Sequence, residues 1–229
     1  MKDATQTRWG LGVLVLTAAA VAAFLLGRAH QTVAPGEHRA VRQQILSLTL
    51  SRTDAPIIVL GDSIVEAATL PTTACGHALV NAGLSGASTA SDLGGWLRPA
   101  LGGKHPFAVI VSLGANDALT TTPGAPAAFA GRYEALLREL SALTSRVYVI
   151  EMPAVEARGR MTPDLTKTVT ATIGSYRAML PDLARRTGAT LLPLPAMSAP
   201  FTIDGVHLNA EGYRSWEQAV LQAAALACG

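Results

Sequence analysis

The chain has 229 residues, of which 49% are hydrophobic and 15% charged, with a formal net charge of +2. That length suits one domain plus an extension, and the composition excludes a disordered chain. The positive charge is too small and too unclustered for a nucleic-acid partner, so none is expected.

The first ten residues carry Lys2 and Arg8 against Asp3, and from Trp9 to Gly27 there is no charge. This stretch is at the short end of what crosses a bilayer core. It has no polar face, as a buried core helix usually would, and no clean Ala-x-Ala cleavage site follows Leu26. We expect residues 1–27 to form a short cytoplasmic tail and an uncleaved transmembrane signal-anchor, making the membrane a partner and placing the rest outside the cytoplasm. A cleaved signal peptide is the competing reading and would make the protein secreted. Gln31 to Glu37, with Pro35-Gly36, reads as a linker. His38 to Ser51 reads as an amphipathic helix whose inner face carries Val41, Ile45 and Leu48, with Leu46 beside them. Residues 28–55 are thus linker and helix, ahead of a domain over 56–229.

Pro56-Ile57-Ile58-Val59-Leu60 is a continuous apolar run that stops at Gly61-Asp62-Ser63, the pattern of a strand buried on both faces. A helix start follows at Ile64. Taken alone, Asp62 or Ser63 would be a helix cap. Leu79-Val80 gives a second strand ending in Asn81-Ala82-Gly83, and a helix follows through Asp92–Leu97. Phe107 to Leu113 is a third strand, stopping at Gly114-Ala115-Asn116-Asp117. Thr120 to Pro126 is loop. Ala127 to Thr144 is a helix with Phe129, Tyr133, Leu136, Leu137 and Leu140 inward. Val147–Ile150 and Ala189–Leu192 are the fourth and fifth strands, with a helix from about Leu165 to Thr187 between them. A last helix spans Ala210 to Ala227. Alternating strands and helices predict an α/β fold with three layers, α/β/α, and a five-stranded parallel sheet in the flavodoxin-like order 2-1-3-4-5.

Several chemistries drop out. Gly102-Gly103-Lys104 fails as a P-loop because Arg98 holds the first glycine position and His105 follows the lysine. Gly83-Leu84-Ser85-Gly86 has the wrong spacing for a nucleophile elbow. The five histidines form no HExxH or dense ligand set, so neither metal nor cofactor is expected. Cys75 and Cys228 form no CxxC; outside the cytosol they would pair as one disulfide, and in a reducing compartment they would be two free thiols.

What remains is a serine with partners on one rim of the sheet. Ser63 stands at the end of the first strand. Asp204-Gly205-Val206-His207 lies between the last strand and the last helix. An Asp three residues before a His can reach its Nδ1–H, fixing the tautomer and leaving Nε2 for the serine. Gly83 and Asn116, at two further strand ends, are candidate oxyanion donors.

Gly61-Asp62-Ser63, Gly83, Gly114-x-Asn116-Asp117 and Asp204-x-x-His207 resemble, in order, the four sequence blocks of the SGNH (GDSL-like) hydrolase family, over about Pro56 to Cys228. The resemblance implies Ser63 as nucleophile, His207 as base and Asp204 as its orienting partner. It implies an oxyanion hole of the Ser63 N–H, the Gly83 N–H and the Asn116 side chain. The expected activity is hydrolysis of a small-molecule or glycan acyl ester through an acyl-enzyme. Transfer of the acyl group to or from cell-surface carbohydrate is the alternative, and a non-catalytic glycan-binding subunit on the same fold is the third reading. The loops over Ala118–Pro126 and Pro153–Thr166 offer no aromatic platform, and a short acyl group is expected.

Overall fold

A computed structural model of the protein describes residues 35–120 and 125–229. The uncharged stretch from Trp9 to Gly27 lies outside the described residues, as does most of the linker. Among the described residues no helix is long and apolar enough to cross a membrane. One compact unit runs from Val41 to Gly229; the stretch before it contributes, among described residues, only the opening turn of the first helix.

The elements in chain order are α1 (Pro35–Ser51), β1 (Ile57–Gly61), α2 (Ser63–Glu66), β2 (Thr73–Ala74), β3 (His77–Gly83), α3 (Leu93–Leu101), β4 (Ala108–Ser112), α4 (Ala115–Leu119), α5 (Ala125–Ser141), β5 (Val147–Ile150), α6 (Pro163–Thr187), β6 (Thr190–Leu192) and α7 (Ala210–Cys228). The sheet order is β2-β3-β1-β4-β5-β6. The five parallel strands stand in the expected order. The sheet has six strands rather than five, because the two-residue β2 pairs antiparallel on the β3 edge. Two residues are too few to leave a periodic signal in the sequence.

Strand alternation sorts the core onto two faces. Ile58 and Leu60 of β1 join Leu97, Phe129, Leu137 and Tyr176 on one side. Ile57 and Val59 join Trp216, Val220 and Ala223 of α7 on the other. Helix α5 buries Phe129, Tyr133, Leu136, Leu137 and Leu140, the stripe its spacing predicts. The Phe129 and Tyr176 rings stack at 4.0 Å between α5 and α6. On the other face the Trp216 indole donates to Ser112 Oγ at 3.0 Å, fixing α7 against β4.

Helix α1 departs from expectation. Val41, Ile45 and Leu48, read as its inner face, are 47%, 48% and 52% exposed. The buried positions are Leu46 and Leu50, flanked by Arg42 and Gln43. Arg42 donates to Gly83 O at 2.9 Å and Gln43 to Trp96 O at 2.8 Å. Two polar side chains claimed inward positions because they satisfy carbonyls there, which an apolar periodicity does not register.

Cys75 and Cys228 are joined as a disulfide, their Cα atoms 6.5 Å apart, tying the end of α7 to the turn after β2 across 153 residues of chain.

Candidate active site

The register brings three strand ends level. Gly61 of β1 stands opposite Gly83 of β3 on one side and Ser112 of β4 on the other. The segments that follow therefore leave the sheet at one rim, where open parallel sheets gather their ligands. Asp62 caps α2, its Oδ1 accepting from Ile64 N at 2.9 Å. The cap reading holds for Asp62 and releases Ser63, the first residue of α2, to turn its hydroxyl outward.

Ser63 Oγ lies 3.0 Å from His207 Nε2, and His207 Nδ1 lies 2.7 Å from Asp204 Oδ2. The loop that carries the pair is closed by its own hydrogen bonds. Ile203 N donates to His207 O at 2.8 Å, and Thr202 bridges Leu208. Asp204 Oδ1 accepts from the backbone N–H of Val206 and His207 at 3.1 and 2.8 Å. Gly205 makes the turn possible at φ +99, where a Cβ would also stand 2.6 Å from Glu156 O. Glu156 Oε2 in turn receives Thr202 N at 2.7 Å, so the preceding loop braces this one.

Partial burial works against the charged Asp204 carboxylate. The bonds it accepts from the His207 ring and from the two backbone N–H groups outweigh that, holding its pKa down at about 2. A carboxylate that stays ionised keeps Nδ1–H pointed at itself and leaves Nε2 as the acceptor facing Ser63. Asp62 behaves oppositely: burial raises its pKa to about 6, against the lowering effect of the Ile64 N–H bond.

The oxyanion side differs from expectation. The Gly83 N–H donates to Asn81 Oδ1 at 2.9 Å, so it is already engaged. Gly83 is glycine for room: a Cβ there would sit 2.1 Å from Glu66 N in α2. Asn81 binds the end of the same helix, its Nδ2 donating to Val65 O at 2.7 Å and Ala68 O at 3.2 Å. The Asn81-Ala82-Gly83 segment therefore seats the helix that carries Ser63.

The N–H groups of Ser63 and Gly86 are among those on this rim without an acceptor among the described residues. Gly86 stands at φ +78 in the turn closed by Ala87 N donating to Leu84 O at 3.0 Å. Asn116 Nδ2 donates to Ala87 O at 2.8 Å, which ties the amide to that turn and leaves its second N–H proton. Glu66 Oε2 holds Ser85 N at 2.5 Å from the other side, with Arg42 3.4 Å from the same carboxylate. Asp117 is buried and accepts from Thr89 N and Thr89 Oγ1 at 2.9 and 2.5 Å, locking the next segment. Sequence reading passed over Gly86, though a second glycine three residues past a strand end is the signal that could have found it. Arg42, Glu66 and Asn81 act through backbone contacts and left no motif.

Beside Asp204 and His207 opens a cleft of about 590 Å³ whose wall includes Asn116, Leu119, Arg160, Met161 and Leu165. It is lined from the two segments expected to flank the site, though the wall is more apolar than their composition suggested. No group of three or more His, Cys, Asp or Glu able to hold a metal occurs among the described residues.

The chain belongs to the GDSL-like lipase/acylhydrolase family, hydrolases of ester bonds, whose pattern matches residues 59–215. No curated protein matches it. Among solved structures it is similar to a Streptococcus pneumonia protein whose description refers to platelet activating factor, at 20% identity and TM-score 0.67, over 90% of this chain and 99% of that one. A GDSL-like lipase from Bacteroides thetaiotaomicron follows at 16% identity and TM-score 0.61, covering 81% of this chain and 98% of that one. A catalytic mutant of an acetylxylan esterase from Geobacillus stearothermophilus is 15% identical with TM-score 0.58, covering 75% and 94%. At these identities the likeness is one of fold.

Proposed function

We propose that the protein is a serine esterase that cleaves a small-molecule or glycan acyl ester through an acyl-enzyme. The observation that carries this is the unbroken chain from Ser63 Oγ through His207 to Asp204, at 3.0 and 2.7 Å. In this reading His207 Nε2 takes the Ser63 proton as Oγ attacks the ester carbonyl, and the Asp204 carboxylate stabilises the imidazolium that results. The imidazolium then gives the proton to the leaving alcohol. Water, deprotonated by His207, attacks the acyl-enzyme and releases the acid. Charge on the carbonyl oxygen is received by the N–H of Ser63 and the side chain of Asn116. The third donor is the free N–H of Gly86 rather than that of Gly83, which Asn81 already occupies.

Ser63→Ala tests the assignment. The purified variant should lose p-nitrophenyl acetate hydrolysis and labelling by a fluorophosphonate probe, which reacts only with an activated serine. Retained hydrolysis would sink the assignment. A glycan ester as substrate draws support from the acetylxylan esterase of the same fold, and acetylated xylan beside p-nitrophenyl acetate would show whether sugars are taken.

The location is part of the same proposal: an anchor in residues 1–27 with the catalytic domain outside the cytoplasm. The uncharged stretch from Trp9 to Gly27 supports it, as does the Cys75–Cys228 disulfide, a bond that persists in oxidising compartments. The full chain should sediment with membranes and be released by detergent, whereas recovery of a shortened form in the soluble fraction would favour cleavage.

A further inference from the structure

The cleft beside His207 is far larger than an acetyl group requires, and one feature of its wall is unlike the rest. Leu119, Met161, Leu165 and Val206 give it an apolar lining. Among them stands Arg160, exposed, with no carboxylate or carbonyl partner among the described residues. The other arginines of this region are engaged. Arg158 donates to Thr202 O at 3.1 Å, and Arg177 donates to Met152 O. The acid within the cleft is Asp204, whose two oxygens are taken up by His207 and the loop backbone. Asp164, in the first turn of α6, is exposed and makes no ion pair with Arg160. An exposed arginine at a largely apolar cleft, with no ion-pair partner of its own among the described residues, favours a ligand that brings a negative charge, and its fork of donors matches carboxylate, sulfate or phosphate.

We propose that Arg160 selects substrates bearing an anionic group, so that the preferred ester has an apolar portion along Leu119, Met161 and Leu165 and a negative charge at Arg160. This rests on the reading of Ser63 as the nucleophile, joined to the cleft through His207, which lines it. The anion can belong to the acyl or the alcohol half of the ester, since the two halves extend in opposite directions from the carbonyl carbon that Ser63 attacks.

The experiment compares matched esters of opposite charge class. For the acyl half, mono-p-nitrophenyl adipate is set against p-nitrophenyl hexanoate; for the alcohol half, p-sulfophenyl acetate against p-tolyl acetate. In at least one pair, Arg160→Ala should lower kcat/KM for the anionic ester about tenfold more than for its neutral partner, the size of a charge-assisted hydrogen bond at a partly exposed site. Arg160→Lys should restore part of the difference, and Arg160→Glu should invert it. Anionic-to-neutral ratios that match wild type in both pairs overturn the proposal. Binding is read separately, by titrating octanoate into Ser63→Ala protein. Adding Arg160→Ala should weaken octanoate about tenfold. Equal octanoate affinity with and without Arg160 overturns the proposal even if neither ester is cleaved. Loss of cleavage with an intact octanoate difference would instead count against the esterase reading alone.

Discussion

The two sides of the proposed catalytic rim are built differently. The Asp204–His207 side is local: an acid and a base three residues apart in one loop, held by bonds among neighbours in sequence. The proposed oxyanion side draws on three distant segments, at Ser63, Gly86 and Asn116, and is held by Arg42, Glu66 and Asn81 from elsewhere in the chain. One side relies on side chains whose chemistry is fixed by residue type. The other relies mainly on backbone N–H groups, which nearly every residue has, so which of them is free depends on what surrounds it.

Substitutions can break each side in its own way. The largest effect is expected at Asp204→Asn, where the new amide turns an N–H toward Nδ1 and forces the wrong imidazole tautomer. Turnover should fall by about 10⁴-fold, the cost seen when the orienting acid of such triads becomes an amide, with the circular dichroism spectrum unchanged. A loss below tenfold would mean that Asp204 does not orient the base.

Asn116→Ala should cost about 10²–10³ in kcat, the usual effect of one oxyanion donor. KM should change little, because the charge it meets exists only in the transition state. A change confined to KM would place Asn116 in substrate binding instead.

The pair Gly83→Ala and Gly86→Ala sharpens the comparison within the oxyanion side. At Gly83 an added Cβ meets backbone of α2 at 2.1 Å, so the variant should lose about 3 kcal/mol or more of stability, at the top of the range for overpacking against atoms that cannot rotate away. At Gly86 nothing lies within 4 Å and only the positive φ resists. That variant should lose about 1 kcal/mol but a larger share of kcat, as the turn shifts its N–H. Urea melts and active-site titration of both proteins separate the two outcomes. Activity per titrated serine lower in Gly83→Ala than in Gly86→Ala would return the donor role to Gly83.

The smallest effect concerns Asp62, beneath the serine. Its pKa is raised from the ordinary 3.8 to about 6. Between those values the folded chain holds a proton that the unfolded chain has lost, so stability falls as pH rises through this window, and the contribution is gone above about 6. Asn keeps the cap to Ile64 and cannot ionise. Asp62→Asn should therefore gain on wild type as pH rises from 4 to 7, by about 2–3 kcal/mol at most. Parallel stability curves for the two proteins would show that Asp62 ionises normally.

The sequence by itself pointed to the strand order, the sheet type and the residues of the proposed triad. Continuous apolar runs such as Ile57–Leu60 announce buried parallel strands whatever lies around them, and Ser63, Asp204 and His207 are recognisable because few side chains can do their work. Which N–H groups of the rim are engaged, the inner face of α1 and the edge strand were decided only by the tertiary structure. Gly83 and Gly86 both follow β3, and only the position of Asn81 Oδ1 reveals that the first N–H is spoken for. Arg42 points inward because carbonyls of a distant strand end need a donor, an obligation that hydropathy along a helix does not record. Likewise the pairing of Cys75 with Cys228 needed two remote segments to meet at one edge of the sheet. Residue type fixes what a group can do, and the three-dimensional accounting of hydrogen bonds fixes which groups remain free to do it.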